Sequence, residues 1–294
     1  MHLALKLALA PVLVAQAVRT RRRALVLPEA DGARAGRLSE DVGAHPAGDG
    51  AAELCALRPA GRAASLRVLI AGDSSAAGVG VDRQDRAFAG HLVRGLHARL
   101  RVPVEWSLHA RSGLTTRGVH RLLEASPPAP ADLAVIVSGV NDVVGQVPVR
   151  RALAHRAALA AWLLDRGLAR HVVFAPLPPI DRFPLLPPLL RRVLGADARR
   201  HDAAQAGWAR GHAQVTHASF DVELSTATMA EDGFHPGEPV YRACGEAIAD
   251  HVAQAVWPRL AGAVENASVA CGDVARDAWR TPARGRATAF GERA

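Results

Sequence analysis

The chain has 294 residues, of which 49% are hydrophobic. That length and composition suit one sizeable domain with extra segments at its ends, and they exclude collagen-like, coiled-coil and wholly disordered chains. The net charge is +8, but Lys6 is the only lysine and the arginines are mostly dispersed. Because aromatic residues make up only 4% of the chain, stacking platforms for bases are scarce, so we expect no nucleic-acid partner.

The first 23 residues combine an apolar run with a basic one. Residues 3–18 are apolar except at two positions, and the sequence RTRRR follows at residues 19–23. The apolar run is shorter than the ~20 residues that a membrane-spanning helix needs, and the arginines behind it favour a cytoplasmic location for the chain that follows. We expect an uncleaved segment that packs on the domain or makes peripheral contact with the inner membrane face through residues 3–23. Because residues 15–17 (AQA) suit a signal peptidase, export after cleavage stays open.

The rest of the chain divides by composition into three parts. Residues 24–64 are rich in Ala, Gly, Asp and Arg without a sustained period, and they are predicted to be a linker. Residues 65–260 contain the apolar and amphipathic segments of a folded domain. Residues 261–294 carry no apolar stripe and are predicted to be disordered.

Short apolar runs within the domain predict buried strands, and longer segments with helical spacing predict helices between them. The strands are expected at residues 66–71, 102–109, 133–137, 171–175 and 215–220, and the helices at residues 88–100, 149–168 and 241–257. This alternation indicates an α/β fold whose parallel sheet is covered on both faces. Residues 177–194 are rich in Pro and Leu without a clean period, so they are expected to form either an irregular packing segment or a wall of the ligand site.

Ligand sites in such sheets lie beyond the carboxyl ends of the strands. Three predicted strand ends carry candidate residues, namely residues 72–74 (GDS), Gly113 and residues 139–142 (GVND), and residues 232–236 (DGFHP) precede the closing helix. Each motif alone has an ordinary explanation as a turn, a helix cap, a surface ion pair or an incomplete metal site. Their joint occurrence in this order carries the functional argument.

Three of these residues fit the chemistry of ester cleavage. Ser74 lies at a strand-to-helix turn, where a serine can act as a nucleophile. His235 can take the serine proton, and Asp232, three residues earlier, can orient the imidazole and stabilise its cation. This chemistry needs neither a metal nor a cofactor, and none is expected.

The cysteines show no pattern of metal binding or disulfide formation. Cys55, Cys244 and Cys271 lie far apart, without a CxxC pair or a Cys/His cluster of zinc spacing. A sparse, odd set favours a reducing compartment, so we expect three inert, small side chains.

In this order and at this spacing, the four motifs resemble the blocks of the SGNH (GDSL-type) hydrolase superfamily. The resemblance covers about residues 66–258, and residues 72–80 (GDSSAAGVG) are similar to a bacterial subgroup with a GDSxAAGVG first block. The resemblance implies a three-layer α/β/α, flavodoxin-like fold with a mainly parallel sheet. It also implies that Ser74 is the nucleophile, His235 the base and Asp232 its orienting partner.

The same resemblance implies an oxyanion hole built from the backbone N–H of Ser74, the backbone N–H of Gly113 and the side-chain amide of Asn141. Two features depart from the family pattern. Ser75 replaces the leucine of the GDSL name and is a competing nucleophile, and residues 110–116 around the glycine match their block only loosely. The GxSxG elbow of the ordinary α/β-hydrolases is absent from the sequence.

The expected activity is hydrolysis of carboxylic esters through an acyl-enzyme, with a small-molecule or lipid ester as substrate. The leucines of residues 177–194, together with Phe183, favour an acyl chain over a sugar. The alternatives are an O-acetyl esterase or acyltransferase that acts on a carbohydrate, and a catalytically silent relative that uses its pocket for binding. Retention of Ser74, Asn141, Asp232 and His235 argues against the silent relative.

Overall fold

The computed structural model describes residues 3–39, 42–45 and 65–261. The predicted tail after residue 261, and residues 46–64 of the predicted linker, lie outside the described residues. The strands are β1 (Ala35–Ser39), β2 (Val42–His45), β3 (Leu66–Gly72), β4 (Val104–Ala110), β5 (Ala131–Val137), β6 (Ala169–Phe174) and β7 (Val215–His217). The helices are α1 (Leu3–Arg23), α2 (Ser74–Ala77), α3 (Phe88–Leu100), α4 (Thr116–Ala125), α5 (Val140–Val144), α6 (Val149–Asp165), α7 (Pro188–Ala209) and α8 (Glu238–His251).

In the described part of the chain, seven strands form one sheet in the order β2-β1-β4-β3-β5-β6-β7. Five neighbouring strands, β4, β3, β5, β6 and β7, are parallel to one another. Beside β4, β1 and β2 extend the sheet with antiparallel pairing. β3 lies at the centre, where Leu69, Ile70 and Ala71 have no exposed surface. Apolar residues in direct succession are typical of a strand covered on both faces. The predicted α/β fold with a mainly parallel sheet is confirmed.

Two apolar clusters lie on opposite faces of this sheet and define three layers. On one face, α3 and α8 bury Leu92, Leu96 and Ile248 against side chains of β3 and β4. On the other face, α4 and α6 bury Leu123 and Leu159 against side chains of β5 and β6. Each sheet face is thereby closed by an amphipathic helix pair, as βαβ connections require.

Part of the predicted linker belongs to the sheet. Within residues 24–64, β1 pairs with β4 from Ala35 opposite Ser107 to Leu38 opposite Val104, so the linker interpretation is wrong for these residues. This strand is held by backbone hydrogen bonds to both of its neighbours, β2 and β4, and such bonds need no regular alternation of apolar side chains. β1 shows no such alternation, because every residue of its sequence AGRLS is partly or fully exposed. The sequence pattern therefore did not predict this strand.

Helix α7 is the second element that the sequence pattern conceals. Residues 177–194 were expected to form an irregular packing segment or a wall of the ligand site, and no helix was predicted there, yet a helix begins at Pro188 and continues for 22 residues. Proline at the first helical turn is well tolerated, because the N–H that it lacks has no partner there. Farther along, the buried face carries Asp197, His201 and Gln205 at four-residue spacing. Because polar side chains occupy part of the buried face, the sequence shows no helical period of apolar residues there.

The five predicted strands and three predicted helices of the domain lie within a few residues of their predicted limits, whereas α4 and α5 were not predicted. β7 stops at His217 rather than at residue 220, and the closing helix begins three residues earlier than expected. α8 continues beyond His251 as a π-helical turn, Val252–Val256.

The apolar segment near the start of the chain forms α1, which packs against α7. The side chain of Gln16 accepts a hydrogen bond of 3.1 Å from the backbone N–H of Leu190, and Leu13 packs on the apolar cluster around that residue. Within the described part of the chain, no helix combines the length and the hydropathy needed to cross a bilayer.

Candidate active site

A tight turn at the carboxyl end of β3 presents Ser74. A Cβ added to Gly72 would lie 2.1 Å from the backbone oxygen of Val137, so the turn passes too close to β5 for any side chain. Asp73 then caps α2, its Oδ1 accepting a hydrogen bond of 3.0 Å from the N–H of Ser75. Because Ser74 is the first residue of α2, its own N–H has no intrahelical acceptor and is available to a ligand.

Ser74, His235 and Asp232 form a continuous hydrogen-bonded chain. Ser74 Oγ lies 3.2 Å from His235 Nε2, and His235 Nδ1 lies 2.5 Å from Asp232 Oδ2. Because the carboxylate can only accept, Nδ1 carries the proton, and Nε2 is left to accept the serine proton. The structure thus brings together the three residues that the sequence proposed as nucleophile, base and orienting acid.

Backbone hydrogen bonds hold the Asp232 carboxylate in its charged form. Its Oδ1 accepts from the N–H groups of Phe234 and His235, each at 2.9 Å. Burial opposes ionisation, but the hydrogen bond from the His235 side chain and these two backbone hydrogen bonds outweigh it and keep the pKa of Asp232 below its ordinary value. A carboxylate that stays charged suits the stabilisation of an imidazolium.

The turn that carries the histidine depends on Gly233. This residue has φ +63, and a Cβ there would lie 3.0 Å from the backbone N of Leu185. The N–H of Leu185 donates to the carbonyl oxygen of Gly233, and the N–H of Ala230 donates to the carbonyl oxygen of His235. These bonds fix the turn both within itself and against the segment that follows β6.

Ser75, the competing nucleophile, lies beside the same space. Both serines line the same cavity, but the hydroxyl contact with His235 Nε2 that the structure shows is made by Ser74. The backbone N–H of Ser75 serves the Asp73 cap. The geometry therefore favours Ser74 as the residue that His235 can deprotonate.

The two other candidate oxyanion donors occupy loops on either side of Ser74. In the sheet, Gly72 pairs with Ala110 of β4 and with Val137 of β5, so the three loops leave the sheet at the same level. Gly113 follows β4 with φ +80, a conformation that favours glycine. Asn141 follows β5.

A hydrogen bond joins these two flanking loops. Asn141 Nδ2 donates to the carbonyl oxygen of Leu114 at 3.0 Å. An amide nitrogen has two N–H groups, so one remains for a ligand. The contribution of Gly113 and Asn141 to an oxyanion hole stays a prediction.

A buried ionic group beneath the GVND loop was missed by the sequence analysis. Asp142 Oδ2 accepts hydrogen bonds from the hydroxyl of Thr116 at 2.5 Å and from its N–H at 3.1 Å, and it lies 3.9 Å from Arg156. Gly139 has φ +131, and a Cβ there would come within 2.6 Å of the same guanidinium. The signal in the sequence was an arginine on the buried stripe of α6, between Ala152 and Leu159.

Asp73, the residue before the candidate nucleophile, has a buried carboxyl group. Burial raises the pKa of its carboxyl to about 7, opposed mainly by the hydrogen bond from Ser75 N–H and by the nearby His235. Near neutral pH this carboxyl is therefore partly protonated.

Ser74 and His235 open onto a cavity of about 820 Å³, open solvent at its mouth included. Most of the lining is apolar: Phe88, Val137, Val140, Ala175, Pro176, Leu177, Pro178, Pro179, Phe183, Phe220, Val222, Leu224, Met229, Phe234, Pro236, Val240 and Ile248. Part of residues 177–194 therefore lies at the cavity wall, as one of the two expectations for this segment required.

Cysteine and metal chemistry can be stated for the described residues. Burial raises the pKa of the Cys244 thiol to about 12, in agreement with the expected inert side chain. Cys55 and Cys271 lie outside the described residues. In the described ranges, no three or more His, Cys, Asp or Glu side chains are grouped so that they could hold a metal ion.

A model described as the GDSL-like lipase/acylhydrolase family matches residues 70–243, more than half of the chain. The chain belongs to this family. The matched range runs from the Ser74 turn through residues 139–142 to the turn that carries Asp232 and His235, so every candidate site residue of this GDSL-like protein lies within it.

Solved structures resemble the GDSL-like protein at low sequence identity. The lipase Lip_vut3 from a goat rumen metagenome is 18% identical with a TM-score of 0.51, over 64% of this chain and 97% of that one. The esterase EstA from Pseudoalteromonas is 18% identical with a TM-score of 0.47, over 63% and 96%. The lipase/acylhydrolase from Enterococcus faecalis is 18% identical with a TM-score of 0.47, over 64% and 95%. A comparison with curated proteins found no match. At such identities, the likeness to Lip_vut3 supports the fold alone.

Proposed function

We propose that this protein is a serine-dependent carboxylic ester hydrolase that works through an acyl-enzyme. The observation that carries the proposal is the hydrogen-bonded chain from Ser74 through His235 to Asp232 at the wall of an apolar cavity. Family membership supports acyl ester hydrolysis in general, and the site geometry supports the serine mechanism that we propose.

In the acylation step, Ser74 Oγ attacks the ester carbonyl carbon while His235 Nε2 takes the hydroxyl proton. The carbonyl oxygen becomes negatively charged and receives hydrogen bonds from the N–H of Ser74, the N–H of Gly113 and the amide of Asn141. When the tetrahedral intermediate collapses, the bond to the alcohol oxygen breaks, and His235 returns its proton to that oxygen. The acyl group stays on the serine.

In the deacylation step, His235 takes a proton from a water molecule whose oxygen attacks the acyl-enzyme. A second oxyanion forms and collapses, and the proton returns to Ser74 Oγ as the carboxylic acid leaves. Asp232 remains ionised throughout, since its hydrogen bonds keep its pKa low. Its charge stabilises the imidazolium that exists in both steps.

The cavity lining favours an acyl chain as the group held beside the nucleophile. In the lining that the structure describes, the polar groups beyond the two serines and His235 are few. They are the hydroxyl of Tyr241, which donates to the Val79 carbonyl oxygen at 2.6 Å, and the thiol of Cys244. A sugar needs several converging hydrogen-bond partners, whereas an alkyl chain gains free energy from burial against apolar walls. We therefore favour an ester with an alkyl acyl chain as substrate over an acetylated carbohydrate.

The decisive experiment measures hydrolysis of p-nitrophenyl esters of graded chain length, from acetate to dodecanoate. We expect kcat/KM to rise with chain length while the chain still fits the cavity, and Ser74→Ala to remove the activity. An acetylated oligosaccharide with a free alcohol acceptor serves as the comparison. Preference for the acetylated sugar would support the O-acetyl esterase or acyltransferase, and no turnover of any ester by the folded protein would support a silent relative.

A further inference from the structure

Helix α1 has one face against the domain and one face toward solvent. The half-buried residues of its described part begin with the neighbours Leu9 and Ala10 and continue at intervals of three or four with Leu13, Gln16 and Thr20. Leu13 and Gln16 make the contacts with α7 and its apolar surroundings. Spacing of this kind is typical of a helix that lies lengthwise on a protein surface.

The opposite face of α1 is apolar and exposed. It consists of Pro11, Val14, Ala15 and Val18, and Val14 leaves 61% of its surface in solvent. Six large apolar side chains are exposed in the described residues, and five of them lie within residues 12–26; the other is Val144. A concentration of exposed apolar side chains on one segment indicates a surface that meets a partner.

Arginines surround the end of this apolar face. Arg22 follows Val18 by one helical turn and continues the exposed face, and Arg19 and Arg21 flank it. The apolar side chains Leu25 and Val26 follow directly, and both are exposed. An apolar face with arginine neighbours fits the boundary of a lipid layer, where alkyl side chains enter the acyl region and guanidinium groups meet anionic headgroups.

We propose that the exposed face of α1, with Arg19 and Arg21–Arg23, docks this protein on an anionic lipid surface. The partner is a layer of anionic phospholipid, and the docking segment covers residues 11–26. Electrostatic attraction supplies the preference for anionic lipid, and burial of Val14, Val18 and Leu25 supplies the apolar part of the binding.

The position of α1 relative to the cavity deepens the proposed function. Leu13 packs on the same apolar cluster that includes Leu177, Phe183 and Leu224, three residues of the cavity wall. Docking through α1 would bring this wall of the cavity near the lipid layer, where the proposed hydrolase would meet acyl esters carried by that layer. This last step rests on the proposed ester hydrolase activity, whereas docking itself does not.

Binding of the full chain to sedimented vesicles tests the docking. Vesicles of phosphatidylcholine with 30% phosphatidylglycerol are compared with pure phosphatidylcholine, at 0.05 M and 0.5 M salt. We expect the anionic vesicles to be preferred and the preference to fall with salt, because screening shortens the range of the arginine charges. Arg21→Glu/Arg22→Glu should weaken binding by about 25-fold or more, since each arginine near such a surface contributes roughly fivefold.

Matched variants separate the docking face from general surface effects. Val14→Asp/Val18→Asp should lower vesicle binding by at least about tenfold, because carboxylates do not enter the acyl region. Val144→Asp is the control for loss of an exposed valine, and Arg121→Glu, on the exposed side of α4, is the control for charge reversal. Both controls should bind as the wild type does. Circular dichroism and the midpoint of thermal unfolding verify that every variant is folded.

Several results would overturn the proposal. Equal binding of the wild type to neutral and anionic vesicles would remove the electrostatic part, and unaltered binding of the Val14/Val18 variant would remove the apolar part. Self-association in analytical ultracentrifugation without vesicle binding would assign the face to a second copy. Ser74→Ala should bind vesicles normally, so a failed ester hydrolase assignment remains distinguishable from a failed docking assignment.

Discussion

The guanidinium of Arg156 lies 3.9 Å from the carboxylate of Asp142, and neither side chain has exposed surface. Asp142 is the last residue of the GVND loop and follows Asn141 directly, so this ion pair lies beneath a candidate oxyanion donor. Burial lowers the pKa of Arg156, and the charges of Asp142 and Asp202 partly restore it. Asp202 in turn accepts a hydrogen bond from the N–H of Leu177, at the cavity wall.

The first prediction follows from this pair. Arg156→Met leaves the Asp142 charge buried without its partner, so the free energy of unfolding should fall by roughly 3–5 kcal/mol. We also expect kcat to fall while KM for a short ester changes little, because the GVND loop loses its support beneath Asn141. Urea unfolding and steady-state kinetics measure the two effects. Arg156→Lys should restore part of both, and unchanged stability of Arg156→Met would rule out the supporting role.

The second prediction concerns the nucleophile. Ser74→Ala should lower turnover by several orders of magnitude with little change in stability, because the serine and the histidine act as one unit. Ser75→Ala is the matched control and should retain most of the activity. A fluorophosphonate probe followed by peptide mass analysis should locate the label on Ser74. Labelling of Ser75, with activity retained in Ser74→Ala, would reverse the assignment.

The third prediction concerns the oxyanion. Asn141→Ala should lower kcat by about 100- to 1,000-fold, the usual effect of losing one side-chain donor. The variant also loses the hydrogen bond to Leu114 O, so its unfolding free energy must be measured alongside. Rapid mixing with a p-nitrophenyl ester should still show slow formation of the acyl-enzyme. A rate equal to that of the wild type would remove Asn141 from the site.

The fourth prediction is a pH dependence of stability at Asp73. Its pKa is raised from 3.8 to about 7 by burial, so the folded protein holds this proton more tightly than the unfolded chain does. The stabilisation is fully present below pH ~4 and is lost as pH rises to about 7, in total by roughly 4 kcal/mol. Asp73→Asn keeps an oxygen acceptor for the Ser75 N–H but does not ionise.

The test is the difference in unfolding free energy between wild type and Asp73→Asn across pH 4 to 8, which cancels the titration of other groups. The wild type should lose stability relative to the variant as pH rises through this range. A difference that stays constant with pH would show that the carboxyl titrates near its ordinary value.

Sequence patterns revealed the parts of this fold that depend on local hydrophobicity. β3 and β5 each contain an apolar run, at residues 68–71 and 133–137, and α3 follows its predicted limits at Phe88–Leu100. A covered strand leaves a run of apolar residues, and an amphipathic helix leaves a periodic pattern. β1 and α7 left no such record, since β1 is partly exposed and is held by backbone hydrogen bonds to β2 and β4, and α7 buries polar side chains.

The candidate site shows the same division. Ser74 and the Asp232–His235 pair belong to short motifs whose residues are close in sequence or end a predicted strand. The support beneath them joins distant positions: Thr116 and Arg156 reach Asp142 from two different helices. Pairing of this kind depends on how the helices pack, and a single sequence does not specify it.

The last prediction concerns the length of the acyl chain. Leu224 is buried in the cavity wall, whereas its neighbour Glu223 is exposed, so the two positions offer a matched pair. Leu224→Trp should fill part of the cavity and move the preferred p-nitrophenyl ester to a shorter chain, while Glu223→Trp should keep the wild-type preference. Each methylene that stays buried contributes about 0.8 kcal/mol, or roughly fourfold in kcat/KM, so the loss should grow with every carbon beyond the new limit. Because an enlarged side chain also costs about 1–3 kcal/mol of stability, the informative quantity is the ratio of kcat/KM for decanoate to that for acetate, measured well below the unfolding temperature. If this ratio falls in both variants, or in neither, the cavity wall at Leu224 does not determine which acyl chain length is preferred.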